Sequence, residues 1–410
     1  MKVKFPPLLK EEEGNRLKDM DENRITFFAE TNYRGTRRRF GIKRKDRRYH
    51  TYIVGKTGMG KSTLLLNMIK QDIENKEGLA LLDPHGDLIE KILKIVPDSR
   101  LKDLIYFNPQ DREQTLYFNP LEVVNPSEAH LVVSSLISVF KKIWSDSWGP
   151  RLEYILRNSL LSLVEFPDST LLDLQRILQN RDFRLNLINK LKDEQLRDFW
   201  FSEFEKYPPF FREQAIAPIQ NKVGQFLSNP ILRRILSNPQ SSFNLREIMD
   251  KGRILLVNLS KGKIGEDLSS LLGAMLITKI GLTALSRQDI EEGKRKDFYL
   301  YVDEFQSFAT SSFVDILSEA RKYHLNLILA NQYLNQIEEK VREAIFGNVG
   351  TIISFKVGPE DAKFLVQEFS SVFNQEDLTN LSCYSIYLKL MIDGKTSKGF
   401  SANSLKPDYS

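Results

Sequence analysis

Cysteine is almost missing from this chain of 410 residues: Cys383 stands alone. No internal disulfide can form, and no cysteine-cluster zinc site can be built. The four histidines, His50, His85, His130 and His324, are too scattered for an HxxxH-type metal pair. Charge of one sign is not in excess either, since 59 Lys and Arg against 54 Asp and Glu leave +5. So mild a surplus marks no polyanion binder unless it is clustered. Long apolar runs are scarce as well. Met1–Arg16 carries two prolines and an acidic Glu11-Glu12-Glu13 run where a signal peptide would have an apolar stretch. The best membrane candidate, Leu268–Leu285, is interrupted by Lys279 and several Ser, Thr and Gly, so it reads as a buried or amphipathic helix. The expectation is a soluble protein of a reducing compartment, without a structural metal.

With 41% hydrophobic and 28% charged residues, the chain can bury large cores, and its length suits two or three domains. From Arg48 to Lys76 it reads as strand, glycine loop, helix. Short apolar runs follow at Leu79–Leu82, Leu104–Phe107, Ile254–Leu259, Phe298–Val302, Leu325–Ala330, Thr351–Phe355 and Ser385–Met391. Runs that are apolar throughout predict a mostly parallel sheet covered on both faces, hence an α/β nucleotide-binding core. Between Pro126 and Asn244 the apolar residues fall at helical intervals instead, as in Leu152, Ile155, Leu156, Leu160 and Leu163. Turn signals at Pro167-Asp168, Pro208-Pro209, Asn229-Pro230 and Asn238-Pro239 punctuate them. The predicted organisation is a basic segment over 1–48, a motor core from 49–125 and 245–410, and an all-helical domain inserted at 126–244.

Gly55-Lys56-Thr57-Gly58-Met59-Gly60-Lys61-Ser62 fits G-x-x-x-x-G-K-[ST]. Chance produces that pattern roughly once in 30,000 positions at ordinary residue usage. In such a loop successive backbone N–H groups turn inward around phosphate oxygens, and the next helix adds its dipole. Residues 55–62 together with Thr63 are therefore the candidate nucleotide site. Lys61 is placed to reach the β- and γ-phosphates, and the Ser62 hydroxyl to ligate Mg²⁺. Phe298–Val302 is an apolar strand ending in Asp303-Glu304. Asp303 suits a magnesium position, and Glu304 suits orienting or deprotonating an attacking water. The acid pair favours ATP over GTP, and none of the Asn-Lys dipeptides (Asn75-Lys76, Asn189-Lys190, Asn221-Lys222) carries the acid of a guanine-reading motif. Leu325–Ala330 ends at Asn331-Gln332, which places Gln332 at the crevice, ready to sense the γ-phosphate. Arg321, eleven residues earlier, is a candidate arginine finger or an ordinary helix charge. Asp83-Pro84-His85-Gly86 carries a type I turn signature at a strand end, where Asp83 and His85 are candidates for relaying nucleotide state.

Thr31–Arg48 packs nine Lys or Arg against one acid, Asp46, with Tyr33 and Phe40 interleaved. That density favours contact with nucleic-acid phosphates or acidic neighbouring subunits, and Arg37, Arg38 and Arg39 are the candidate DNA contacts.

Taken together, "YHTYIVGKTGMGKSTLLLNMIKQDI", "LLDPHGDL", "YFNPL", "GRILLVNLSKGKIGEDLSSLLGAMLI", "YLYVDEFQSFA" and "SEARKYHLNLILANQYLNQI" resemble the HerA/FtsK superfamily of DNA-pumping ATPases. Within it the chain is most similar to the coupling proteins of type IV secretion, over about Thr31 to Lys406. The resemblance implies a RecA-like P-loop core and an all-alpha domain where DNA enters. It also implies a hexameric ring with ATP and Mg²⁺ between neighbours, and DNA in a central channel. Lys61, Asp303, Glu304 and Gln332 fall on the family's catalytic positions, and Arg321 on the arginine proposed to reach a neighbour's nucleotide. Secretion-system or relaxosome proteins are implied partners. Membrane-anchored members carry N-terminal transmembrane helices and some carry an acidic tail; neither is found here. The expected location is cytoplasmic, at the inner membrane through partners, in secretion or in DNA processing. Two other readings stand beside the DNA motor: a substrate receptor whose ATP site governs assembly, and an ATPase that powers secretion assembly.

Overall fold

Sequence runs that are apolar at every position become strands of one sheet, buried on both faces except at its edge, where Leu104–Phe107 is partly exposed. In the computed structural model, residues 21–407 are described, apart from 33, 34, 124, 167, 370 and 371. Met1–Arg16, Tyr33 and Pro167 therefore lie outside the described residues. Among the described residues the first strands are β1 (Ile25–Thr31) and β2 (Arg39–Lys43), and the core is entered at β3 (Thr51–Val54). Next come α1 (Lys61–Glu74), β4 (Gly78–Asp83), α2 (Asp87–Leu93) and β5 (Leu104–Phe107). A helical stretch follows, whose longest members are α3 (Ala129–Ile143), α4 (Pro150–Glu165) and α5 (Pro209–Leu227); α6 (Leu245–Lys251) closes it. Strands and helices then alternate: β6 (Ile254–Asn258), α7 (Glu266–Leu285), β7 (Phe298–Val302), α8 (Phe313–Glu319), β8 (Leu325–Asn331), α9 (Glu339–Asn348), β9 (Thr351–Ser354) and α10 (Pro359–Glu368). The end is antiparallel, with β10 (Ser385–Lys389), β11 (Met391–Ile392), β12 (Lys395–Thr396) and β13 (Phe400–Ser404).

Among the described residues the main sheet has 11 strands in the order β2-β1-β13-β10-β9-β3-β8-β7-β4-β6-β5. From β9 to β5 every neighbouring pair is parallel. The expected α/β architecture with a mostly parallel sheet is what forms, because β4, β6, β7 and β8 bury every residue and need helices on both faces. Strand β3 sits between β8 and β9, so the glycine loop leaves the middle of the sheet.

Between Pro126 and Asn244 the structure has helices and no strand among the described residues. Their apolar faces share one core with the sheet: Val54, Ala80 and Leu82 belong to the same cluster as Leu152, Leu156 and Trp200. α7 joins the two regions by packing on α3 and α6. It is the one helix among the described residues long and apolar enough to cross a membrane, and 78% of its apolar window is buried in the fold. Small polar and glycine positions serve the packing of this helix. Ser269 donates to the Leu259 carbonyl at 2.7 Å, and Gly273 and Gly281 let Phe308 and Ile316 pack close.

The basic N-terminal segment differs from its sequence reading. Two strands lie in it, and they extend the sheet by antiparallel pairing of β1 with β13 and β2. Their burial alternates along one face, so no fully apolar run announced them.

Candidate active site

The glycine loop is held where the carboxyl ends of β3, β8 and β9 meet. Gly55 N–H donates to the Asn331 carbonyl at 3.2 Å and Lys56 N–H to the Lys356 carbonyl at 2.8 Å. A Cβ on Gly55 would come within 2.5 Å of the Phe355 Cβ, so only glycine fits that approach. Gly60 has φ 120° and a Cβ there would meet the Tyr384 ring at 2.9 Å. Thr57, Gly58 and Met59 form the turn between them, with Thr57 and Gly58 exposed. α1 begins at Lys61 without a side-chain cap, which leaves its first-turn N–H groups to an anion. Ser62 and Thr63 follow in that first turn.

Lys61 is buried, and its Nζ donates to the Gly55 carbonyl at 2.5 Å and the Lys56 carbonyl at 3.3 Å. Burial lowers its pKa, while Glu304 and Asp303 oppose the shift. Asp303, buried at the end of β7, accepts from the Ser62 hydroxyl at 3.4 Å. Desolvation, then Asp83 and Glu304, push its carboxyl up to about 6. A buried acid so placed, beside a hydroxyl and short of cationic partners, fits a divalent ion that brings its own charge. Among the described residues no set of three His, Cys, Asp or Glu side chains forms a cage. Magnesium needs none, since it is commonly held by one or two protein oxygens plus phosphates and waters.

Glu304 adopts φ 50°, a left-handed conformation that a glutamate reaches only when its surroundings impose it. Both carboxylate oxygens are engaged by amides. Gln332 Nε2 donates to Oε1 at 2.5 Å, and Gln306 Nε2 donates to Oε2. Gln332 in turn accepts from the Thr57 hydroxyl at 3.0 Å. A hydrogen-bonded chain thus runs from the glycine loop through Gln332 to Glu304. The sequence reading had Gln332 but missed Gln306, a lone amide two residues past the acid pair that no periodicity singles out.

Asp83 and Arg321 lie outside that hydrogen-bonded chain. Asp83 accepts N–H groups of His85 at 2.8 Å, Leu88 at 2.9 Å and Ile89 at 3.2 Å, so it caps α2; the His85 side chain is exposed. Arg321 does not join the site. It precedes β8 while Gln332 follows it, and 7 strand residues put roughly 20 Å between them. Its exposed guanidinium stacks over the Tyr49 ring at 3.5 Å.

The basic segment divides in two. Arg44, Arg47 and Arg48 pair with Glu77, Asp72 and Asp297, and Lys43 and Lys45 pair with Asp393. Arg37, Arg38 and Arg39 stay exposed, with Arg37 3.7 Å from Glu30.

Residues 40–382 match the family described as the type IV secretion-system coupling protein DNA-binding domain. The type 4 coupling protein DotL of Legionella pneumophila is 22% identical over 394 residues, covering 81% of this chain and 49% of DotL. The chain thus spans about half the length of that relative. The plasmid coupling protein TrwB in complex with ADP and Mg²⁺ superposes with a TM-score of 0.62 at 17% identity, over 96% of this chain and 92% of that one. VirB4 of Thermoanaerobacter pseudethanolicus gives 0.60 at 11% identity, over 94% and 97%. The shared fold is the RecA-like P-loop NTPase fold.

Proposed function

Because the chain belongs to the type IV secretion-system coupling protein family, we propose that it is an ATP-hydrolysing motor that moves DNA, working as a hexameric ring. The observation that carries the proposal is the Thr57–Gln332–Glu304 chain, which ties an acid suited to water activation to the loop suited to phosphate. Backbone N–H groups of residues 58–62 and the first turn of α1 cradle the β- and γ-phosphates, with the Lys61 ammonium released from its carbonyls to them. Magnesium at Ser62 and Asp303 would neutralise phosphate oxygens. Glu304 takes the proton of the attacking water, and Gln332 fixes both the carboxylate and the water.

Residues 49–125 and 245–410 form the motor in this reading, and 126–244 the all-helical domain at the face where DNA enters. The exposed Arg37, Arg38 and Arg39 contact DNA phosphates. Arg321, too far from its own glycine loop, serves a neighbour's nucleotide across the ring. The motor acts in the cytoplasm, at the inner membrane through secretion-system or relaxosome partners.

The test is ATPase rate with and without single- and double-stranded DNA. Lys61→Ala abolishes hydrolysis and keeps the fold, whereas Glu304→Gln binds Mg-ATP and traps it. Arg321→Ala binds ATP but hydrolyses it about 10³-fold more slowly, as expected of a lost finger. Mixing it with Lys61→Ala restores part of the rate, because a mixed interface pairs an intact loop with an intact arginine. Full hydrolysis by Lys61→Ala sinks the site assignment. Mixtures that stay dead sink the ring.

A further inference from the structure

The loop that follows Glu304 is tied to the helical stretch by side chains that no role yet explains. Lys142, in the last turn of α3, donates from Nζ to the Gln306 carbonyl at 3.0 Å. The side chain of that same Gln306 holds Glu304 Oε2. A second tether lies one turn earlier on α3. The Ser138 hydroxyl meets the Ser311 hydroxyl at 2.7 Å and accepts the Ser312 N–H at 3.1 Å. A third comes from the short helix that follows β6, where Lys261 Nζ donates to the Ser307 hydroxyl at 2.9 Å. Residues 305–312 therefore have three outside anchors, and two of them are on α3.

We propose that Gln306 and Lys142 are positioning residues that couple the helical stretch to Glu304, so that a shift of α3 moves the acid without loosening the nucleotide. The proposal rests on the hydrolytic reading above. Glu304 has one oxygen on each side of this coupling: Oε1 faces Gln332 and the glycine loop, Oε2 faces Gln306 and α3. A pull on Gln306 rotates the carboxylate about a backbone already held in the left-handed region. A misplacement of about 1 Å in a reacting group can cost about 10² in rate. The phosphate cradle, built on β3 and α1, makes none of these contacts. A sliding α3 would thus change turnover while affinity stays the same.

Lys142 gives the coupling a signature. Burial lowers its ammonium to about 8; Glu338 opposes that shift and Lys261 adds to it, and these are the charged groups that face it. The charged donor is the stronger one, so the tether weakens as pH rises through 8.

The experiment measures kcat, KM and ATP affinity from pH 6.5 to 9.5 for the whole chain and for Gln306→Ala, Gln306→Met, Lys142→Met and Lys142→Arg. Both Gln306 variants and Lys142→Met lose about ten- to hundredfold in kcat, with ATP affinity within twofold of wild type. Lys142→Arg keeps the rate at pH 7 and holds it to pH 9.5, where the wild-type rate has declined. Amide hydrogen exchange over residues 303–312 is read in parallel and speeds up in Lys142→Met. Equal kcat in the Gln306 variants overturns the coupling, and so does one shared pH profile for wild type and Lys142→Arg. If the wild-type chain hydrolyses no ATP, the hydrolytic reading falls separately. Exchange alone then decides the tether: faster exchange in Lys142→Met retains it, and unchanged exchange overturns it.

Discussion

The two ends of the parallel strands differ in whether their charged groups find opposite charges. At the amino ends, just before β3, β4 and β7, Arg47 makes a bidentate pair with Asp72 at 2.5 and 2.8 Å. It also donates to the Tyr301 hydroxyl and lies over the Tyr299 ring at 3.7 Å. Arg48 meets Asp297 twice at 2.9 Å, and Arg44 reaches Glu77 at 3.0 Å. At the carboxyl ends Asp83, Asp303 and Glu304 crowd together with Lys61 as the buried cation, and Lys61 rests on carbonyls. Charges that find partners within the chain hold the fold. The acids at the carboxyl ends are hydrogen-bonded but short of counter-charge, which suits a ligand that brings its own.

Breaking the satisfied end has the largest effect on stability. Arg47→Met strands the buried Asp72 carboxylate and costs about 3–5 kcal/mol. Chemical denaturation should show that loss. A change below about 1 kcal/mol would mean that the amino-end network is dispensable and the contrast false.

Removing charge at the other end acts in the opposite direction. Folding raises the Asp303 carboxyl from 3.8 to about 6, chiefly through burial. The folded chain therefore keeps a proton that the unfolded chain has released. That contribution to stability is full below about pH 4 and is lost as pH rises through 6. Without nucleotide, Asp303→Asn should stabilise the chain by about 2 kcal/mol at pH 7 and flatten its melting temperature between pH 4 and 7. Parallel melting curves for mutant and wild type would remove the claim that this end is electrostatically strained.

Legibility in the sequence follows the same division. β3, β4, β6, β7 and β8 were visible because a strand buried on both faces is apolar at every position, and the glycine loop because its spacing is rare. β1 and β2 were hidden because one face of each is exposed and basic residues crowd the second. Arg321 and Gln332 are eleven residues apart in the chain, and the strand between them carries them to its opposite ends, a separation that spacing alone does not show. Gln306 and Lys142 meet only through tertiary packing, and chain order holds no trace of that. The count of nine cations in Thr31–Arg48 was correct but uninformative about their fates, since partners such as Asp72, Glu77, Asp297 and Asp393 lie far along the chain.

The same stretch supplies the smallest and sharpest test of the contrast. Arg37 and Arg38 precede β2 and Arg39 opens it, all three with exposed side chains, and the ion pair of Arg37 with Glu30 spans 3.7 Å at the surface. Such a pair is worth under about 1 kcal/mol, so replacing all three by Gln should leave the melting temperature nearly unchanged. Only a few residues later Arg44, Arg47 and Arg48 are held by acids, and they have no charge to spare for an outside polyanion. If exposed cations are the ones that meet phosphate, each lost contact lowers the slope of log affinity against log salt by about 0.7–0.9. The triple variant should therefore bind DNA more weakly at low salt, with a slope shallower by up to about 2–3. Its ATPase rate without DNA should match the wild type, because these side chains lie outside the site. A slope unchanged by the triple substitution would assign Arg37–Arg39 to solvent or to subunit contacts. An uncompensated charge would then mark a ligand only where it is also buried, as at Asp303.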